Sequence, residues 1–184
     1  MPVMSSRPAQ FTPGYLRALA VPRYYMQRMS TGKTLSINST SSSKTEALGD
    51  QVGRNLKGGE IIELVSDLGG GKTTFVRGLA RGIGSTAHVS SPTFKISNVY
   101  HGPKFDVQHF DFYRLNEAGI VADELAEFLG DPHGVVVVEW GDIVHDGLPV
   151  ERFIIKFKTT AENARELIFN YPPTLGYLIK ELAE

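Results

Sequence analysis

This 184-residue chain has no cysteine. Disulfides, zinc–thiolate centres and thiol nucleophiles are thereby excluded, while the compartment is left open. Long apolar runs are missing too: none approaches the roughly 18 residues that a membrane-spanning helix needs, so no bilayer-embedded role is expected. Acidic residues are absent from the first 45 positions, which carry Arg7, Arg17, Arg23, Arg28, Lys33 and Lys44 with no acid before Glu46. The thirteen remaining cations then face all 20 acidic residues, so the body is acidic. A body of that sign repels a phosphate backbone, which argues against tight, direct nucleic-acid binding by this domain alone. The lead is rich in Ser, Thr, Arg and Pro and shows no sustained periodicity. Residues 1–35 are therefore read as a disordered basic lead and residues 36–184 as a single domain, long enough at 41% hydrophobic composition to bury a full core. An Arg- and Ser-rich, acid-poor leader has the composition of a mitochondrial or plastid transit peptide. Met29 offers a competing start that would make the first 28 residues a misread of the reading frame and the protein cytoplasmic, and this account is preferred.

What is present is a nine-residue run, Ser66-Asp67-Leu68-Gly69-Gly70-Gly71-Lys72-Thr73-Thr74, between the apolar stretch at 61–65 and a helix-like segment at 75–81. Strand, glycine-rich turn, Lys-Thr pair and helix start, in that order, make a phosphate cradle. Glycines let successive N–H groups point inward at phosphate oxygens, and the helix N-terminus adds its partial positive charge. Lys72 then reaches the β- and γ-phosphates and the Thr73 hydroxyl ligates Mg²⁺. The first glycine of the G-x-x-x-x-G-K-[ST] pattern is Ser66 here. The cradle survives provided that Ser66 holds an extended conformation at the strand exit.

From Thr45 onward the periodicity alternates. Helical spacing at 45–56 is followed by a buried strand at 60–65; after the loop and its helix, strands are predicted at 94–100 and 105–112, joined by a turn at 101–104. A helix at 117–128 leads to Gly134-Val135-Val136-Val137-Val138-Glu139-Trp140, whose β-branched run marks a central strand buried on both faces. Strands at 153–157 and 166–171 form a closing hairpin, and 175–182 a terminal helix. The fold class is α/β, with a mixed sheet flanked by helices.

Glu139 ends the valine strand, where ligands gather in open α/β sheets, and is the candidate metal carboxylate. Asp111, in His109-Phe110-Asp111-Phe112-Tyr113-Arg114-Leu115, alternates with the phenylalanines and shares a face with His109 and Tyr113. A salt bridge to Arg114 is the plainer alternative for it.

These segments, together with Ser91-Pro92-Thr93-Phe94 and Val138-Glu139-Trp140, resemble in order and spacing the TsaE family of bacterial P-loop ATPases over about residues 36–184. The resemblance implies a three-layer P-loop NTPase-like fold and a role in the threonylcarbamoyladenosine modification of tRNA. In that role ATP hydrolysis resets a TsaB–TsaD partner complex and tRNA is met only indirectly. It further implies ATP and Mg²⁺ as cofactors, the backbone of Gly69, Gly70, Gly71, Lys72, Thr73 and Thr74 with the Lys72 amine as the phosphate grip, and Thr73 with Glu139 as magnesium ligands. Asp111, Thr74 and Glu139 are implied in catalysis, and Ser91-Pro92-Thr93 matches the family's switch. Ser42–Thr45 lies near the nucleotide by the same resemblance, Trp140 follows the acid with core packing as its safer role, and Arg165 is open between a phosphate-facing arginine and a hairpin surface charge. Two departures stand out: Ser66 for the usual first glycine, and Gly70 where alanine is common. The rival enzymatic reading is a small-molecule kinase, although the run from Asn116 to Leu129 carries no lid arginine. A nucleotide-gated protein-binding module without turnover is the non-enzymatic rival. A GTPase is disfavoured because no guanine-reading N/T-K-x-D element follows the loop.

Overall fold

The computed structural model describes residues 32–115 and 119–182. In chain order the elements are β1 (Lys33–Ser39), α1 (Ser42–Asn55), β2 (Ile61–Val65), α2 (Lys72–Gly82), β3 (Ser97–His101), β4 (Asp106–Asp111), α3 (Gly119–Phe128), β5 (Gly134–Glu139), a 3₁₀ segment (Gly141–Gly147), β6 (Phe153–Ala161), β7 (Ala164–Tyr171) and a second 3₁₀ segment (Pro173–Leu182). The seven strands form one mixed sheet in the order β1-β7-β6-β2-β5-β4-β3. β2 lies between β5 and β6, parallel to both, and β5 is parallel to β4; the three pairs involving β1, β3 and β7 are antiparallel. The apolar runs of β2 and β5 thus occupy the centre, where a strand covered on both faces belongs. No helix among the described residues is long and apolar enough to cross a membrane.

Both faces are covered, which makes three layers. On one face Ile62, Leu64, Val107, Val135, Val137, Phe153, Ile155 and Leu167 pack beneath Leu48 and Val52 of α1 and Phe75, Val76 and Leu79 of α2. On the other, Phe110, Phe112, Val136 and Val138 meet Leu125 of α3 and Val144 and Leu148. The helices of the first layer approach so closely that a Cβ on Gly49, Gly53, Gly78 or Gly82 would collide with backbone of the facing helix. This contact sets α1, capped by the Ser41 hydroxyl accepting from Lys44 N at 3.1 Å, alongside the helix that follows the glycine loop.

Several sequence expectations move. A strand occupies Lys33–Ser39, so β1 includes the last three residues of the segment assigned to the lead; Leu35 and Ile37 alternate toward the core opposite Phe169 and Leu167 of β7. β3 starts at Ser97 rather than at 94, because Lys95 N and Ile96 N both donate to Pro92 O at 2.7 Å and Ile96 stands at φ 71°. The C-terminal segment is 3₁₀ with a kink at Ile179 instead of a regular helix. The start of the predicted 117–128 helix lies outside the described residues, as does the lead as far as residue 31.

Candidate nucleotide-binding site

The glycine loop leaves β2 at Val65 and closes on itself: Gly70 N donates to Asp67 O at 3.1 Å. Gly69 (φ 77°) and Gly71 (φ 105°) hold left-handed backbone that a side chain would strain, and Gly71 is the N-cap of α2 with no side-chain cap of its own. The first amides of α2 therefore face the loop without helical carbonyl partners, the arrangement that binds anions at helix N-termini. Lys72 is 6% exposed, its ammonium turned into the loop. It donates to Ser66 Oγ at 2.9 Å, with Ser66 O and Asp67 O both at 3.5 Å, lies 3.6 Å from Glu139 Oε2 and sits 4.9 Å from the centre of the Trp140 ring. Thr73 and Thr74 follow in the first turn of the helix, half-buried.

Glu139 stands at the end of β5 beside Leu64 of β2 on one side and Asp111 of β4 on the other. It is 3% exposed, and its second oxygen lies 3.0 Å from His109 Nε2. His109 is itself fully buried, with Tyr100 Oη 3.5 Å from its Nδ1. Burial drives the Tyr100 hydroxyl pKa above its ordinary value, against bonds from Asn98 and to Ser90 that pull it down. Asp111 joins the same row: Oδ2 accepts from the hydroxyls of Thr93 and, at 3.1 Å, Ser91, while Oδ1 accepts from Tyr113 N at 3.0 Å. The salt bridge to Arg114 is not formed. That guanidinium stacks over the 82% exposed ring of Phe94, 4.1 Å from its centre. Asp111 and the Ser91-Pro92-Thr93 segment are thus one hydrogen-bonded unit.

The two carboxylates, the lysine and the two threonines gather at the C-terminal ends of three adjacent parallel strands, the edge where open α/β sheets bind ligands. No group of three or more His, Asp or Glu side chains able to hold a metal occurs among the described residues. A cation here would take one hydroxyl and one carboxylate from the protein and its remaining oxygens from phosphates and water, which fits Mg²⁺ and its reluctance to dehydrate. Thr45, near the start of α1, borders the glycine loop: its methyl is 4.0 Å from where a Cβ on Gly71 would stand, and its hydroxyl is engaged with Ser39 Oγ at 2.8 Å.

Four contributors escaped sequence reasoning. His109 was legible only as a neighbour of Asp111; the period of two that placed Asp111 also carries His109 to Glu139. Ser66 entered as a missing glycine, and its hydroxyl is in fact the nearest hydrogen-bond acceptor to the Lys72 ammonium. Trp140 packs against the second core cluster, as expected, and in addition flanks that ammonium and the Tyr113 ring, 5.0 Å away. Arg165, left open by the sequence between a phosphate-facing arginine and a hairpin surface charge, is half-buried against the loop. It donates to Gly70 O at 3.2 Å, Gly69 O at 3.4 Å and Ala161, Glu162 and Ala164 carbonyls, tying the β6–β7 turn to the loop. Carbonyl and N–H point oppositely across a trans peptide, so drawing the Gly70 carbonyl outward aims the Gly71 N–H inward.

The family described as "Threonylcarbamoyl adenosine biosynthesis protein TsaE" matches residues 39–167. The tRNA threonylcarbamoyladenosine biosynthesis protein TsaE of Bacillus subtilis is 35% identical over 139 residues, covering 74% of this chain and 85% of that protein. Its namesake in Treponema pallidum is 38% identical over 129 residues, 70% of this chain and 95% of the relative. Among solved structures, that of Bacillus subtilis YdiB superposes with a TM-score of 0.68 at 32% identity, over 83% of this chain and 95% of that one. The loop, the strand order and these matches agree: the chain belongs to the TsaE family of tRNA threonylcarbamoyladenosine biosynthesis proteins.

Proposed function

We propose that the chain is a Mg²⁺-dependent ATP hydrolase that works with TsaB and TsaD in the threonylcarbamoyladenosine modification of tRNA, its hydrolysis resetting the partner complex between rounds. The observation that carries this reading is the buried Lys72 ammonium, held within a glycine loop and 3.6 Å from the strand-end carboxylate of Glu139. The loop amides and Lys72 grip the phosphates, Thr73 and Glu139 hold the cation, and His109 fixes the orientation of Glu139. A Mg²⁺ ion held by Thr73 and Glu139 would neutralise developing phosphate charge. Asp111 orients water once Ser91 and Thr93 exchange its carboxylate for phosphate oxygens; Thr74 completes the wall of the site. The isolated chain turns over slowly, because no arginine among the described residues is placed as a finger, a part that can contribute about 10³ to 10⁵ in rate.

Calorimetry and phosphate release test the proposal together. Mg-ATP binds the parent and not Lys72→Ala, and phosphate release rises when TsaB and TsaD are added. Equal ATP affinity in Lys72→Ala removes the cradle assignment. Phosphate release that is indifferent to TsaB and TsaD removes the partner assignment.

A further inference from the structure

The three glycines of the loop are glycine for different reasons, and the middle one leads to a residue without an assigned role. Gly69 and Gly71 need left-handed backbone; Gly70 does not, since its φ is outside that range. Space is what restricts Gly70. A Cβ there would stand 2.5 Å from Ser66 Oγ, 2.6 Å from Ser66 Cβ and 3.1 Å from Asp67 O. Rotating the hydroxyl relieves the first overlap but not the second, because the Cβ of Ser66 is fixed by the backbone. The same hydroxyl is occupied in both senses: it accepts from Lys72 Nζ at 2.9 Å and donates to Asp67 O at 2.8 Å.

We infer that Ser66 is a positioning residue for the Lys72 ammonium, and that Ser66 and Gly70 form one unit in which the side chain at 66 is admitted only because residue 70 has none. The inference rests on the nucleotide-binding reading above and adds a determinant of affinity to it. The ammonium has two competing neighbours. Glu139 draws it toward the metal position, where a lysine pairing would occupy the carboxylate meant for the cation. Ser66, on the loop side, keeps it 3.6 Å from Glu139 Oε2 and close to the carbonyls of Ser66 and Asp67. The hydroxyl is oriented for this by its own bond to Asp67 O, so its lone pairs face the amine rather than the Gly70 amide, which is spent on the same carbonyl. Removing the hydroxyl frees the ammonium to close on Glu139, and a triphosphate must then pull it back.

The test is a four-membered set, Ser66→Ala, Ser66→Gly, Gly70→Ala and Ser66→Gly/Gly70→Ala, measured for Mg-ATP affinity by calorimetry and for thermal midpoint without nucleotide. Ser66→Ala weakens binding about threefold to tenfold, the size of one ordinary hydrogen bond net of water, with the midpoint unchanged. Gly70→Ala lowers the midpoint and weakens binding by more than about tenfold, the scale of a side chain forced into filled space. The double variant recovers the parent midpoint and binds within about threefold of Ser66→Gly. A Ser66→Ala protein that binds as tightly as the parent overturns the positioning role. A Gly70→Ala protein with parental midpoint, or a double variant no better than Gly70→Ala, overturns the coupling. Failure of the parent itself to bind Mg-ATP overturns the function proposed above and the positioning role with it, while the thermal midpoints still decide the coupling.

Discussion

Two buried carboxylates sit one register step apart on neighbouring central strands, and the protein holds them differently. Glu63, in the middle of β2, is 1% exposed and receives Arg152 Nε at 2.6 Å; the same guanidinium donates to Pro149 O at 2.6 Å. Glu139, at the end of β5, is also buried, but its cation is a lysine at 3.6 Å and its shorter contact is His109 at 3.0 Å. The first pair is short and anchored at a second point, so neither charge has reason to move. The second is slack, and its lysine divides its bonds among Ser66, Asp67 and Glu139. A structural ion pair and an exchangeable one can thus be distinguished in a single sheet by geometry. The exchangeable pair is the one at the strand end that a ligand can reach.

The largest effects test that contrast directly. Arg152→Ala leaves the Glu63 charge in the core without its short partner and costs about 3–5 kcal/mol in urea unfolding, whereas replacing both residues by methionine recovers most of the loss. Lys72→Ala removes an equally buried cation yet costs less than about half as much, since Glu139 keeps His109 and lies at the ligand edge; what it loses is ATP binding. Equal unfolding penalties for the two variants would erase the distinction. Asp111→Asn, in the hydroxyl-bonded unit beside Glu139, lowers partner-stimulated phosphate release about a hundredfold while leaving ATP affinity near that of the parent. Unchanged stimulated release would withdraw its catalytic role. Glu139→Gln keeps the bond to His109 but not the charge, and raises the Mg²⁺ concentration for half-maximal turnover about tenfold without lowering stability. No change in magnesium dependence would place the cation elsewhere.

Legibility followed the range of the interactions. The loop, Lys72 and the strand-end Glu139 could be read because strand, turn and helix start are local patterns; Asp111 could be read because alternation with Phe110 and Phe112 fixes its face. β1 was missed although Leu35 and Ile37 alternate, since Thr34, Ser36 and Asn38 make it polar and its order comes from pairing with β7, more than 120 residues away in sequence. Residues 94–96 carry a strand-forming composition, but bonds to the Pro92 carbonyl turn them first and force Ile96 to positive φ. Arg165 bonds across 95 and 96 residues to the loop carbonyls, a relation with no sequence period. Ser66 was visible only as a departure, because its meaning depends on the empty space at Gly70.

The smallest predicted effect extends the comparison to a carboxylate near water. Asp50 on α1 accepts from Arg54 Nε at 2.7 Å and from Arg81 Nε at 3.0 Å, and Arg81 also reaches Glu46. Burial raises the Asp50 pKa, yet the bonds and charges of Arg54 and Arg81 outweigh it and hold the group below its ordinary 3.8. Above 3.8 both folded and unfolded chains carry the charge, and the stabilisation is fully present. As pH falls through 3.8 the unfolded chain takes up a proton while the folded one does not, so the contribution drains away and is gone below the folded pKa. Both arginines are more than half exposed, so salt screens the effect. Asp50→Asn therefore loses a small increment of stability at pH 7 and shows a shallower decline as pH falls below 3.8 in low salt, with the difference from the parent shrinking in roughly 1 M salt. An acid limb of unchanged slope would mean that Arg54 and Arg81 do not hold Asp50 in solution, leaving α1 and α2 joined by their glycine contact, their apolar packing and the ion pairs of Glu46.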